Sequence, residues 1–265
     1  MCATTLKRDS IELRNLAIGY RKSVVAENLN ATIFGGELTC LVGVNGVGKS
    51  TLLRTLAGFQ PPLAGEIIYN CHCGLDPQSP DQSPTAGNKL SRIIGVVLTE
   101  KITAADLSVT DLVGMGRSPY TNFWGQLTAE DRQIVCEAIG QVGITELANR
   151  HVHTLSDGER QKVMLAKVLA QQTPVIFLDE PTAFLDYPSK AEIMNLLRTL
   201  SRETGKAIFL SSHDLELVCK TADKLWLLDK SRGLLVGSPD ELQENGCMDV
   251  LLKFAISTPA QATLL

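Results

Sequence analysis

The segment Gly43-Val44-Asn45-Gly46-Val47-Gly48-Lys49-Ser50, followed by Thr51, constrains this chain more than any other stretch. It fits the pattern G-x-x-x-x-G-K-[ST], and its surroundings agree with that match. Leu38–Val42 ahead of it reads as a strand, and Ser50–Leu56 behind it reads as a helix that ends near Gly58, with Pro61 and Pro62 beyond. The glycines let the backbone turn so that several N–H groups point inward at phosphate oxygens, and the helix N-terminus adds partial positive charge. In this pattern Lys49 reaches the β- and γ-phosphates of a nucleotide and the Ser50 hydroxyl ligates Mg²⁺. A Gly-rich turn before an ordinary helix is the plainer alternative, and the strand and helix on either side argue against it.

The rest of the chain supplies an α/β setting. Ile11–Leu16, Gly65–Tyr69, Ile93–Leu98 and Ala207–Ser211 read as strands. Val175–Leu178, bounded by Pro174 and Asp179, reads as a buried parallel strand. Apolar residues at three- and four-residue steps predict helices over Ala129–Val142, Glu159–Ala170, Lys190–Arg202 and Asp214–Ala222. Alternating strand and helix implies a mainly parallel sheet, with a helical region over about 102–171. Residues 71–90 are rich in Pro, Ser, Asp, Gln and Gly without apolar periodicity, and read as a loop insertion. The tail from 241 to 265 is uninformative beyond a possible short helix over Met248–Ala255.

Composition narrows the function classes. With 25 basic and 29 acidic residues the net charge is −4, which speaks against duplex DNA as the main partner, so no nucleic acid is expected. The apolar runs are too short to cross a bilayer, and no charged segment followed by a long apolar one opens the chain, so a membrane role requires a partner that spans it. The seven cysteines are odd in number and mostly scattered, which suits a reducing compartment. Cys71-His72-Cys73 does not match the usual zinc spacings, and His151 and His153 read as polar surface.

A second acidic motif fits the phosphate loop. Asp179-Glu180 ends the strand Val175–Leu178, and parallel strands place their C-terminal ends on one edge of the sheet, where ligands bind. Asp179 can hold Mg²⁺ through water, and Glu180 can orient or deprotonate an attacking water.

Leu155-Ser156-Asp157-Gly158-Glu159-Arg160-Gln161 lies upstream of that strand. Together the three motifs resemble those of the ATP-binding cassette (ABC) family, over about residues 10–240. Asp157 replaces the family's usual third-place glycine, leaving Ser156 and Gly158 at the start of a helix. The resemblance implies a P-loop α/β nucleotide-binding domain with an antiparallel β subdomain and a helical subdomain. It implies ATP and Mg²⁺, an adenine-stacking aromatic at Tyr20, a switch histidine at His213, and a segment Phe184-Leu185-Asp186 linking two ATP sites. It also implies a homodimer in which Ser156 and Gly158 of one chain face the ATP held by Gly43, Asn45, Gly46, Gly48, Lys49, Ser50 and Thr51 of the other. In the family a glutamine follows the strand equivalent to Ile93–Leu98; here Thr99 holds its place beside Glu100.

The stretch Leu107–Tyr120, with Thr128–Asp131 and Val142–Ile144, is similar to importer ATPases for iron–siderophore, haem and cobalamin. That resemblance implies a peripheral protein on the cytoplasmic face of the inner membrane, docked on integral membrane permease subunits and served indirectly by an external substrate-binding protein. The rival is a soluble ABC ATPase acting on ribosomes or DNA, and net negative charge with a single cassette disfavours it.

Overall fold

The alternation of side chains along four short apolar strands decides this architecture. The computed structural model describes residues 8–21, 23–71, 90–98, 106–122 and 124–247. Three antiparallel strands, β1 (Ser10–Tyr20), β2 (Ser23–Phe34) and β4 (Ala64–Asn70), form a sheet of order β2-β1-β4. A second sheet holds β3 (Leu38–Val42), β5 (Ile94–Val97), β6 (Val175–Leu178), β7 (Ala207–Ser211), β8 (Lys224–Asp229) and β9 (Gly233–Gly237). Its order is β5-β6-β7-β3-β8-β9, parallel throughout except for the antiparallel pair β8–β9.

Successive residues of a strand point to opposite faces, so a strand buried on both sides feeds two cores. Leu38, Cys40, Val42, Ile176, Leu178, Ile208, Leu210, Leu225 and Leu227 enter one core, with the helices. Leu41, Val175, Phe177, Phe209, Trp226 and Leu228 enter the other, against α1 (Lys49–Leu56) and the antiparallel sheet. There the rings of Phe177, Phe209 and Trp226 meet edge to face at centroid separations of 5.6 and 5.0 Å. Every strand expected from the sequence is present, within a few residues of its expected ends. β2, β8 and β9 are additions. β2 was hidden because it is half exposed and bulged against β1, which breaks its alternation.

Helices α2 (Val109–Gly114), α3 (Ala129–Gln141) and α4 (Asp157–Ala170) each open with a reciprocal capping box: Ser108 with Asp111, Thr128 with Asp131 and Ser156 with Glu159. They are followed by α5 (Tyr187–Thr204), α6 (Leu215–Thr221) and α7 (Pro239–Glu244). Residues 72–89 of the expected insertion, and the helix expected over Met248–Ala255, lie outside the described residues. Cys40, Cys136, Cys219 and Cys247 carry thiols outside any disulfide.

One buried ion pair ties the α2–α4 region together. Arg117 is 5% exposed. Its Nε donates to Asp131 Oδ1 at 2.8 Å, and its Nη1 donates to Ala170 O and Gln172 Oε1, each at 2.9 Å. Its guanidinium carbon lies 4.1 Å from the centroid of Tyr120. The Thr128 backbone N–H, then Arg117 and the Thr128 hydroxyl, hold the Asp131 carboxyl down to about 2. Because that folded-state value is depressed, the contribution is present above the ordinary carboxylate range and is lost as pH falls through it toward about 2. Arg117→Ala leaves Asp131 buried without its cation and is expected to cost about 3–5 kcal/mol. Thermal melting at neutral pH checks this; a melt identical to the parent's would mean that the pair contributes nothing net.

Candidate functional site

The loop after β3 requires glycine at particular places. Gly48 caps α1 at φ 116°, and a Cβ there would lie 2.4 Å from Val25 Cγ1. Gly46 sits at φ 74° with open space around it, so there the backbone conformation alone favours glycine. A loop with these dihedrals can present consecutive N–H groups to an anion at the start of α1. Lys49, 7% exposed, folds its side chain inside the loop and donates Nζ to Gly43 O at 2.8 Å and Val44 O at 3.4 Å. Burial pulls its ammonium below the ordinary lysine value, opposed by the carboxylates of Glu180 and Asp179.

Sheet order places the other groups beside this loop. β6, β7 and β3 are consecutive neighbours and run parallel, so the residues that follow them share an edge. Ser50 Oγ donates to Asp179 Oδ1 at 3.4 Å, and His213 Nδ1 lies 3.7 Å from Glu180 Oε2. Tyr20, 51% exposed at the end of β1, accepts a hydrogen bond from Thr51 Oγ1 at 3.2 Å. This joins the antiparallel sheet to the first turn of α1 and leaves much of the ring open to solvent. Lys49, Ser50, Thr51, Tyr20, Asp179, Glu180 and His213 are thereby assembled from separate places in the chain.

Ser156 and Gly158 belong elsewhere. The Ser156 hydroxyl donates to Glu159 Oε2 at 2.9 Å and accepts the Glu159 N–H at 3.3 Å, while its own N–H donates to Glu159 Oε2 at 2.8 Å. These bonds, the backbone one first, hold the Glu159 carboxyl below the usual carboxylate range. The atoms that a Cβ on Gly158 would approach belong to Ser189 at the start of α5, at 3.5 and 3.7 Å, so an alanine would fit inside this chain. None of these contacts reaches the phosphate loop. Thr99 and Glu100 lie outside the described residues. His151 and His153 are exposed, as expected, with ring centroids 5.6 Å apart.

Ser211 was not singled out from the sequence. It is the last residue of β7, fully buried, and bonded to both Asp179 and Glu180. The only hint available was a hydroxyl residue closing an apolar strand two places before His213.

A family model described as ABC transporter matches residues 26–183. The chain is 38% identical over 227 residues to the ferric enterobactin transport ATP-binding protein FepC of Escherichia coli K12, covering 86% of this chain and 81% of that one. It is 37% identical over 233 residues to the achromobactin transport ATP-binding protein CbrD of Dickeya dadantii, covering 88% and 84%. Among solved structures, cbiO1 of Clostridium perfringens, part of the ABC transporter complex cbiONQ, superposes with a TM-score of 0.76 at 30% identity, covering 94% of this chain and 95% of that one. Among the described residues no helix is long and apolar enough to cross a membrane. The match to the family model over residues 26–183 and the near full-length similarity to transport ATP-binding proteins mean that the chain belongs to the ABC transporter family, as one of its ATPases.

Proposed function

We propose that this chain is the ATP-hydrolysing motor of an importer for an iron–siderophore, haem or cobalamin-type chelate. In this reading its cassette spans about residues 10–240 and works as a homodimer on the cytoplasmic face of the inner membrane. It docks there on integral permease subunits, and an external substrate-binding protein delivers the cargo. The observation that carries the cargo class is near full-length similarity to two siderophore transport ATPases.

The residues suit the roles. The N–H groups from Gly43 to Ser50, with Asn45, Gly46 and Gly48 shaping the loop, cradle phosphates, and Lys49 adds the charge. Tyr20 stacks on adenine, and Thr51 steadies its hydroxyl. Ser50 and Asp179 offer one hydroxyl and one carboxylate side by side, a donor pair that fits Mg²⁺, which takes few protein ligands and keeps water and phosphate oxygens. Bound there, Mg²⁺ supplies positive charge against the phosphate oxygens. Glu180 orients and deprotonates the attacking water, and His213 beside it contacts the γ-phosphate. Ser156 and Gly158, whose contacts do not reach their own chain's loop, serve the ATP of the opposite subunit. Closure on ATP and opening after hydrolysis deliver the mechanical output.

Gentle-detergent capture of the tagged protein from native membranes, followed by mass spectrometry, tests the assignment. A polytopic permease in near-equal amount is the expected result, and the genes beside it would nominate the cargo. Recovery with ribosomal or DNA-repair proteins from the soluble fraction would overturn the importer reading and leave the ATPase standing.

A further inference from the structure

Ser211 ends the strand β7 and Ser212 follows it, and their hydroxyls serve different partners. Ser212 Oγ accepts the N–H of Asp214 at 3.1 Å, within its own loop. Ser211 Oγ crosses to the neighbouring strand. It donates to Asp179 Oδ1 at 2.6 Å and accepts the Glu180 N–H at 2.9 Å. The sheet register dictates this meeting: Leu178 stands opposite Leu210, so the next residues, Asp179 and Ser211, face each other at the sheet edge. A hydroxyl has one proton and two lone pairs, so donation to the carboxylate and acceptance from the amide coexist in a single rotamer.

The second bond holds an unusual backbone. Glu180 adopts φ 47°, a left-handed conformation that a non-glycine residue keeps only when its surroundings enforce it. The turn it begins is closed by the Ala183 N–H donating to Glu180 O at 3.0 Å, and its entry is held by Ser211. Ser211 is 0% exposed, so solvent has no ready route to replace its hydroxyl. An apolar residue of similar size would satisfy the packing of the strand end, but it would leave the Glu180 N–H without this acceptor and Asp179 Oδ1 without this donor.

We propose that Ser211 is a positioning residue for ATP hydrolysis, whose hydroxyl locks the Asp179 side chain and the strained Glu180 backbone into one geometry and so sets the Glu180 carboxylate beside His213. The inference rests on the reading of Glu180 as the residue that faces the attacking water. Ser211 touches neither nucleotide nor water in this scheme and acts only through the two carboxylate residues.

The test compares Ser211→Ala, Ser211→Thr and Glu180→Gln in the full-length protein, measuring ATP turnover, ATP affinity and thermal melting for each. Ser211→Ala is expected to lower kcat by about 10–100-fold, the usual effect of removing a group that orients a catalytic ligand. Its ATP affinity is expected to stay close to the parent's, while the part-buried Glu180 N–H left without its acceptor lowers the melting temperature modestly. Ser211→Thr, which keeps the hydroxyl, is expected to recover most of that loss. If the added methyl group lowers melting, the split between kcat and affinity in Ser211→Ala decides alone. Parental kcat in Ser211→Ala overturns the proposal. So does a parallel loss of kcat, affinity and melting, which would make Ser211 a packing residue. Glu180→Gln separates the two levels: parental turnover there removes the Glu180 reading itself, whereas an inactive Glu180→Gln beside a fully active Ser211→Ala removes only the role of Ser211.

Discussion

Glu180→Gln should bind ATP like the parent protein and turn it over about 10³-fold more slowly, within the range that a general base contributes. The substitution keeps the size of the side chain and removes its ability to take a proton. It leaves untouched the Glu180 N–H bond to Ser211, and with it the left-handed turn, because both belong to the backbone. It also leaves Lys49 inside its loop and Ser50 beside Asp179, so the groups assigned to phosphate and metal keep their places. A protein that binds ATP and cannot hydrolyse it should accumulate in the closed state, which in the proposed mechanism is a dimer. Phosphate release under single-turnover conditions, together with the mass of the ATP-bound species, checks both parts. Parental turnover would end the assignment of Glu180; a monomer at every ATP concentration would count against the shared site and leave the chemistry of Glu180 intact.

Lys49→Ala should weaken ATP binding by roughly 10³-fold. Two unit charges 4 Å apart near a protein surface, at an effective dielectric constant of about 20, interact by about 4 kcal/mol, and each 1.4 kcal/mol is tenfold. Lys49 is well placed to deliver that interaction, since it is 7% exposed and its ammonium is already oriented by the carbonyls of Gly43 and Val44. The fold should not suffer much. Burial disfavours the charged form of Lys49, so removing it relieves a desolvation cost while giving up two hydrogen bonds to the loop. Titration with a fluorescent ATP analogue, with a melting curve as control, measures the two effects apart. Unchanged affinity would mean that the loop does not hold phosphate in this protein.

The two substitutions have different signatures because they act at different stages. In the proposed mechanism, loss of Lys49 removes binding and therefore everything after it, whereas loss of the Glu180 carboxylate spares binding and stops the cycle at the closed state. A protein in which both variants lost affinity equally would have its carboxylate in the wrong role.

Local motifs were legible in the chain because each is a backbone device of fixed spacing. Gly43 to Ser50 has the form of a phosphate cradle because its dihedral angles are ones that glycine permits and a helix starts at Lys49, all within one strand–loop–helix unit. Asp179 and Glu180 were legible because a four-residue apolar run bounded by Pro174, downstream of a phosphate-loop motif, reads as a buried strand, and the residues after such a strand lie at a sheet edge. His213 was marked by family resemblance and by the strand ahead of it, and the structure places its ring against Glu180. The α/β class came from the alternation of strands and helices. The strand β2 escaped notice because a half-exposed, bulged edge strand carries no clean period of two.

Tertiary structure alone decided the meetings between these devices. Beyond its place at the end of an apolar strand, nothing within residues 207–213 marks Ser211 over Ser212; the parallel register of β6 and β7 sends one hydroxyl to the carboxylates and leaves the other in its own loop. Arg117 is likewise an ordinary arginine in the sequence, and becomes a buried tie only where the start of α3 and the end of α4 converge on it. The partition has one physical cause. Dihedral preferences and capping act over a few residues and are written in local order, whereas hydrogen bonds between strands depend on which strands become neighbours and in which register, and that is settled by burying two faces of one sheet at once.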